Sequence, residues 1–504
     1  LQTRLFHQNL LSPEQNVRFS ISLMSAALLT LSACASKDVG PINSHETTIH
    51  SKRTDYIADH GNDGSTVVAL AFSGGGTRSA AFAYGVLQAL DDIVIDEYPY
   101  KRRLIENVRL VSGASGGAVA AAYYGMTGPD HYRDFREKFL YRNAEAGLRT
   151  SLLPPENVAR AIGGGLNDRN GLSQWLDTNL FHGKTFAALR RSDTPTVWIT
   201  ASDIYNRTPF HFTYDTFDAL CSDLDKVRLA DAVSASAAVP VAFAPVVVSA
   251  NQKQCNYQPP QWLKDTLTNP DVSLRLNAYA RSLYAYRNDP QQHYIKLLDG
   301  ALTDNIGVTP FALARAAAKN PHGPLSPAEA VKLRKLIFIV ADAGTEGEEP
   351  WVKTVHGPIL PAVAAATAYT AISASVRDGF DALKFATNQW QKELIDYRCS
   401  LPLTKVKEYR GSLQGWNCKD LSLIVEAVSF RDLDGPTQNN LNKIPTRFKL
   451  PKQQVDLAVA SGHKAVMQHE RIQNAILDIQ KFADVRKSEQ VSPVKRTAAL
   501  PVFH

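Results

Sequence analysis

The sequence predicts an α/β protein. It would be a three-layer α/β/α fold with a mostly parallel central sheet, followed by a mainly helical C-terminal extension. Three observations predict this. Short apolar runs rich in β-formers alternate with helical stretches from about residue 65 to 345. The first two of these runs end in glycine clusters that open helices, as strand-to-helix turns in parallel sheets do. Beyond 345 the pattern is largely helical. The composition suits a packed core, with 44% hydrophobic and 21% charged residues in 504, and excludes a disordered or collagen-like chain. The net charge of +6 comes from scattered basic residues, so no nucleic-acid footprint is implied.

In chain order, residues 1–33 read as a secretory address. Arg18 precedes a short apolar stretch, Phe19 to Leu31, that ends in Ser32-Ala33-Cys34. The stretch is shorter than the roughly 20 apolar residues of a membrane span. Leu31-Ser32-Ala33-Cys34 resembles the bacterial lipobox, which implies lipidation at Cys34. Ala35 after it is the non-acidic residue associated with outer-membrane sorting, so the expected location is the bacterial cell envelope. Residues 34–64 are polar and read as a tether. Within them, His45-Glu46-Thr47-Thr48-Ile49-His50 is not a zinc-protease helix, because its histidines lie five apart and point to different faces. Cys221, Cys255, Cys399 and Cys418 would form two disulfides in an oxidising compartment. Three pairings are open, and local closure favours Cys221–Cys255 with Cys399–Cys418.

The expected catalytic domain spans 65–345. Val67 to Phe72 and Val108 to Val111 are strand candidates, each followed by glycines and a helix (Ala80 to Leu90, then an Ala-rich stretch through Tyr124). Further strand candidates are Thr196 to Thr200, Pro245 to Val248, Tyr294 to Leu298 and Leu336 to Val340. Residues 250–292, rich in Gln, Asn and Pro, read as an insertion. In the extension, 346–504, an Ala-rich helix over 358–384 is too polar for a span. Leu421 to Phe430 is one more strand, and Val455 to Phe482 reads as a single long helix.

Three motifs carry chemistry. Gly113-Ala114-Ser115-Gly116-Gly117 fits G-x-S-x-G between a strand and a helix. A strand turning sharply into a helix leaves Ser115 exposed at the turn, and side chains at Gly113 or Gly117 would clash. Gly74-Gly75-Gly76-Thr77-Arg78 follows the first strand. Consecutive glycine amides can point into one cavity and hold an oxyanion, with Arg78 supporting the loop. The loop lacks the third glycine of a dinucleotide fingerprint, where Ser79 stands, and the Gly-Lys-Ser/Thr of a phosphate loop. Asp299-Gly300-Ala301 ends a strand in a turn, placing a carboxylate at the sheet edge that carries Ser115. A carboxylate beside a serine hydroxyl can take its proton.

Together the three motifs resemble the patatin-like phospholipase family, which orders a glycine oxyanion loop, an elbow and an Asp-Gly-Gly/Ala motif in this way. Ala201-Ser202-Asp203 and the block Ser234-Ala235-Ser236-Ala237-Ala238-Val239-Pro240-Val241-Ala242-Phe243-Ala244-Pro245 look like two further family features. The resemblance covers about 65–340. It implies a Ser–Asp dyad acting on acyl esters of lipids, with Ser115 as nucleophile and Asp299 as base. It also implies an oxyanion hole from Gly74, Gly75 and Gly76, and no metal or organic cofactor. Ala301 and Ser79 depart from the commoner glycines, and the 250–292 insertion stands just before Asp299, where it could reshape substrate access. Expected partners are a lipid or phospholipid substrate and a membrane reached through Cys34.

Two other readings stay open at this level. A Ser–Asp–His triad would draw on His322, His356, His463 or His469, all downstream of Asp299. A silent lipid-binding scaffold would need neither the elbow nor the aspartate.

Overall fold

Strand β1 (Thr66–Phe72) is buried along its whole length. Val68, Leu70 and Phe72 enter one hydrophobic core, and Val67, Ala69 and Ala71 enter a second. Alternation along a strand sends successive side chains to opposite faces, so both faces of the sheet are covered. The computed structural model describes residues 40–49, 63–97, 100–151, 153–191, 193–250, 255–346 and 350–491. The signal segment and Cys34 lie outside the described residues.

The other strands are β2 (Val94–Asp96), β3 (Arg102–Arg103), β4 (Val108–Ala114), β5 (Thr196–Asp203), β6 (Thr208–His211), β7 (Val246–Ser249), β8 (Tyr294–Leu298), β9 (Lys335–Asp342) and β10 (Ser422–Ser429). The main sheet runs β10-β9-β1-β4-β5-β8-β7, with β6 also paired to β5. The five strands from β10 to β5 are parallel. β6, β7 and β8 pair antiparallel. The predicted three-layer α/β/α architecture is therefore present, its parallel part flanked by an antiparallel edge. All seven strand candidates read from the sequence are strands of this sheet.

Helix α1 (Gly76–Asp92) follows β1, α2 (Gly116–Thr127) follows β4, and α3 (Leu229–Ser236) lies against β5. The four-residue α4 (Ala301–Asp304) follows β8, and α5 (Leu360–Ser400) opens the C-terminal region. α5 continues well past the expected end at 384. The reason is a buried stripe at Gly379, Leu383, Thr387, Trp390, Leu394 and Arg398, which keeps helical spacing to the last turn.

The region after 345 is mainly helical, yet it completes the sheet instead of trailing from it. Its strand β10 pairs with β9 over eight residues. Helix α6 (Lys452–Gln468) crosses α1 where Gly85 faces the Val459 carbonyl and Gly462 faces the Phe82 carbonyl; a Cβ at either glycine would collide with backbone. The expected single helix over 455–482 is two. His469 leaves helical backbone, and α7 (Glu470–Val491) follows. The halves serve different partners. α6 packs on α1, while α7 reaches β2, where the Gln480 side chain donates to the Val94 carbonyl at 2.7 Å.

One other segment differs from its sequence reading. Residues 40–49, expected as free tether, lie on the body. Ile42 N–H donates to the Val247 carbonyl, the Asn43 amide donates to Ser222 Oγ, and Ile49 is buried. The 250–292 insertion holds two helices, Gln261–Thr268 and Leu274–Asn288. The second helix is tied to β5 where Tyr286 hydroxyl donates to Asp203 at 2.9 Å. Both disulfides favoured by local closure are present, Cys221–Cys255 and Cys399–Cys418.

Candidate active site

β4 ends at Ala114, and the chain turns into α2 through Ser115 alone. Ser115 has φ 51° and ψ −122°, a positive φ that costs a residue with a Cβ of order 1–3 kcal/mol. The turn survives because its neighbours have no side chains. A Cβ on Gly113 would sit 2.5 Å from the Gly117 carbonyl carbon, and one on Gly117 or Gly116 would collide with the backbone of Phe72 or Gly76. The strained elbow thus presents Ser115 at the N-terminus of α2, where unpaired amides favour negative charge.

Asp299 arrives by a different route from the expected one. β8 runs antiparallel to β5, and the two pair only at Ser202–Leu298 and Asp203–Leu297. β8 therefore descends to the C-terminal edge of the parallel strands from above. Asp299 is at its end, beside Thr200, and Thr200 pairs with Ala114 of the elbow strand. Gly300 is needed at this point, since a Cβ there would collide with the Thr200 carbonyl.

The two motifs meet. Ser115 hydroxyl donates to Asp299 Oδ2 at 2.9 Å, and Ala301 N–H donates to Asp299 Oδ1 at 2.8 Å. Both side chains are buried. Burial raises the Asp299 pKa to about 6, opposed by the hydrogen bonds from Ala301 N–H and Ser115. The carboxylate is thereby a stronger base than an ordinary aspartate, within reach of one serine proton.

The glycine loop is partly as expected. A Cβ on Gly74 would lie 3.3 Å from Ser115 Cβ, so the loop abuts the elbow. The Gly74 amide, however, is already used. It donates to the Asn305 carbonyl at 2.9 Å and to Asn305 Oδ1 at 3.1 Å. Gly75 and Gly76, with φ 137° and 63°, have amides with no acceptor among the described residues. The candidate oxyanion donors are therefore Gly75 and Gly76, with Gly74 as their anchor.

Arg78 does not face the dyad as a free charge. Its guanidinium donates to the Ala343 carbonyl at 3.1 Å and the Ile444 carbonyl at 2.5 Å. Burial lowers its pKa to about 10, still far above neutrality. Arg78 is a brace between the glycine loop, the end of β9 and the C-terminal region. The segment 444–448 adds a strap. Thr77 N–H donates to the Arg447 carbonyl at 2.8 Å, and a Cβ on Gly76 would come within 2.6 Å of that oxygen. The strap is pinned by Glu145, which accepts from Phe448 N–H at 2.8 Å and from the Arg447 guanidinium at 2.6 Å.

Several site residues escaped the sequence reading. Ser236 accepts Ser115 N–H at 2.9 Å and donates to the Thr200 carbonyl at 2.6 Å. Ser202 hydroxyl donates to the Asp299 carbonyl at 2.7 Å. Asp299 N–H and Gly300 N–H donate to the Ala238 and Ser236 carbonyls. Ser202 and Ser236 lie in the two stretches noted between the elbow and the aspartate, but only proximity in space assigns them these bonds. Glu145 and Arg447 carry no sequence signal, being 302 residues apart.

The histidines of the alternative triad have partners of their own. His322 Nδ1 lies 2.9 Å from the Leu325 carbonyl, His463 Nε2 lies 3.0 Å from Asp92, and His469 faces Glu426. His356 is exposed. Among the described residues, no histidine is a hydrogen-bond partner of Ser115 or Asp299. A cavity lined by Trp198, His211, Trp262 and Tyr279 contains neither member of the pair.

Residues 70–312, which include the elbow, the glycine loop and Asp299, match the model of the family described as patatin-like phospholipase. These residues form a patatin-like phospholipase domain. No curated protein matches the chain. Among solved structures, human GIVD cytosolic phospholipase A2 is similar at 12% identity and a TM-score of 0.39, covering 83% of this chain and 61% of its own. VipD from Legionella pneumophila is similar at 14% identity and a TM-score of 0.31, covering 80% of this chain and 66% of its own. The patatin-like domain ends before β9 and β10, so the strap and the brace partners of Arg78 come from residues beyond it.

Proposed function

We propose that the protein is a serine acyl-ester hydrolase acting on lipids, of phospholipase A or lysophospholipase type, through a Ser115–Asp299 dyad. The observation that carries this reading is the 2.9 Å hydrogen bond from Ser115, at a strained elbow, to a buried carboxylate. In the reaction, Ser115 Oγ attacks the ester carbonyl as Asp299 takes its proton. The carbonyl oxygen becomes an oxyanion held by the Gly75 and Gly76 amides and the N-terminus of α2. The tetrahedral intermediate collapses, and Asp299 returns the proton to the leaving alcohol or lysolipid. Water, deprotonated by Asp299, then attacks the acyl-enzyme; collapse releases the fatty acid and restores Ser115. Gly113, Gly117 and Gly300 have no chemical role in this scheme and permit the backbone approach.

The same proposal places the protein in a bacterial envelope, lipid-anchored at Cys34 in the outer membrane. The support is the lipobox-like Leu31-Ser32-Ala33-Cys34. Anchoring would hold the site near its substrate and raise its effective concentration.

The test is labelling with a fluorophosphonate serine probe, mapped by mass spectrometry. Label at Ser115 is expected in the parent, none in Ser115→Ala and little in Asp299→Asn. Folded parent that takes no label, or full labelling in Asp299→Asn, would refute the dyad. Radiolabelled palmitate incorporation lost in Cys34→Ser would support the anchor; incorporation that persists would refute it.

A further inference from the structure

The cavity that excludes the dyad is walled by three parts of the fold. Trp198 comes from β5 and His211 from β6, Trp262 and Tyr279 from the two helices of the 250–292 insertion, and Pro310 and Leu313 from the helix Thr309–Ala317. His211 pairs with Thr200 across the strands, so Trp198, two residues before Thr200, stands on the same sheet face as His211. The cavity measures about 50 Å³.

Two buried nitrogens in its walls have unused bonding capacity. Trp198 Nε1 and His211 Nε2 have no hydrogen-bond partner among the described residues, although these residues are only 2% and 1% exposed. Buried polar atoms are nearly always paired. The imidazole is held firmly on its other sides. Its Nδ1 lies 3.2 Å from Thr200 Oγ1, and its ring meets Tyr279 edge-on at 5.6 Å. Nε2 is therefore fixed in position and open to a ligand.

The chemistry of these atoms selects the ligand. An indole N–H only donates, so the ligand must offer an acceptor. Imidazole Nε2 donates or accepts according to which nitrogen holds the proton. Burial lowers the His211 pKa to about 3, so the ring is neutral at neutral pH. The one charged lining residue is the acidic Asp215, so a carboxylate would enter without a counter-ion. An ammonium could meet Asp215 but has no acceptor for Trp198. A hydroxyl both accepts and donates, and it satisfies both nitrogens in either tautomer. One water could do the same. A second would find only Pro310, Leu313 and the parallel rings of Trp262 and Tyr279, where an aliphatic chain fits better. An enclosed apolar space of roughly 150 Å³ takes benzene, so this smaller one takes a hydroxyl with about two or three carbons.

We propose that this cavity is a binding site for a small uncharged alcohol, its hydroxyl shared by Trp198 Nε1 and His211 Nε2 and its carbon chain against Pro310 and Leu313. The proposal does not rest on the hydrolase reading, because neither Ser115 nor Asp299 lines the cavity.

The test titrates the full nitrogen-15-labelled chain with n-propanol, propionate and n-propylammonium while the indole N–H resonances are followed by NMR. Trp198→Phe identifies the Trp198 resonance. With n-propanol that resonance should move along a saturable curve, and neither ion should move it. His211→Phe keeps a ring but removes the nitrogen, and should weaken n-propanol binding by at least about tenfold. Ala314→Leu keeps both nitrogens and fills the cavity from its wall. It should abolish the saturable shift with an unchanged circular dichroism spectrum, which keeps the test decisive if His211→Phe fails to fold. No shift, or a linear drift shared by all the indoles, means that the cavity holds water only and overturns the proposal. So does an equal response to either ion, or parental binding by Ala314→Leu.

Discussion

The Ser236 hydroxyl accepts a hydrogen bond from the backbone N–H of Ser115 at 2.9 Å and donates one to the Thr200 carbonyl at 2.6 Å. One buried hydroxyl thus ties the strained elbow to the neighbouring strand, and the same strand abuts the turn that carries Asp299. Ser236→Ala would leave a buried donor and a buried acceptor unpaired, a loss of about 1–3 kcal/mol. The expected result is a lower denaturation midpoint with the fold retained, and slower labelling of Ser115 by a fluorophosphonate. An unchanged labelling rate would mean the elbow holds its geometry without this bond.

Removing the nucleophile should separate chemistry from folding. Ser115→Ala should lower turnover of a lipid or ester substrate by at least about a thousandfold. Its circular dichroism and melting temperature should match the parent, because the hydroxyl makes one hydrogen bond and the backbone strain stays.

Asp299 links activity and stability to pH in opposite directions. Its folded pKa is about 6, against roughly 3.9 in an unfolded chain. Activity requires the carboxylate, so kcat/KM should rise through pH 6 and then level. The raised pKa means the native state binds the proton more tightly than the unfolded state does. Its stabilising contribution is therefore complete below about pH 4 and is lost as pH rises through about 6. Asp299→Asn should abolish turnover yet melt no lower than the parent at pH 8, since no buried charge remains. His463→Ala and His322→Ala should keep the parent pH profile. Loss of the rise near 6 in either would point to an imidazole base instead.

The strap lies outside the family domain, and its anchor inside that domain gives a prediction. Glu145→Ala removes the acceptor for Phe448 N–H and Arg447 and should loosen the Arg447 carbonyl that holds Thr77 N–H. The oxyanion loop would then lose order, with kcat falling by roughly tenfold and KM changing little. A change in KM alone would assign the strap to substrate binding.

Gly462→Ala should be costly despite adding one methyl. The new Cβ would meet the Phe82 carbonyl where α6 crosses α1, and overpacking of this kind costs about 1–3 kcal/mol. Chemical denaturation would read the loss directly. A neutral outcome would show that the C-terminal helices can slide on the domain.

Much of this was legible in the residues alone. Val67 to Phe72 read as a buried strand because a continuous apolar run of that length needs cover on both faces, and Val108 to Val111 as a second strand because its β-formers run into a glycine turn and a helix. Gly113, Gly117 and Gly300 marked places where a backbone must pass too close for a side chain. Ser115 and Asp299 could be paired because each ends a strand at a glycine turn, a local property. What the sequence could not decide was every relation made by distant segments. The direction of β8, the seat of Gly74 on Asn305, the Ser236 bridge and the strap from Arg447 to Glu145 join residues tens to hundreds of positions apart. Hydrogen-bonding side chains such as these carry no periodicity, and their role exists only once the sheet has brought them together. The first half of α5 makes the same point. Its apolar sequence suits a core helix as well as an exposed one, and only the packing of the rest of the chain leaves it bare.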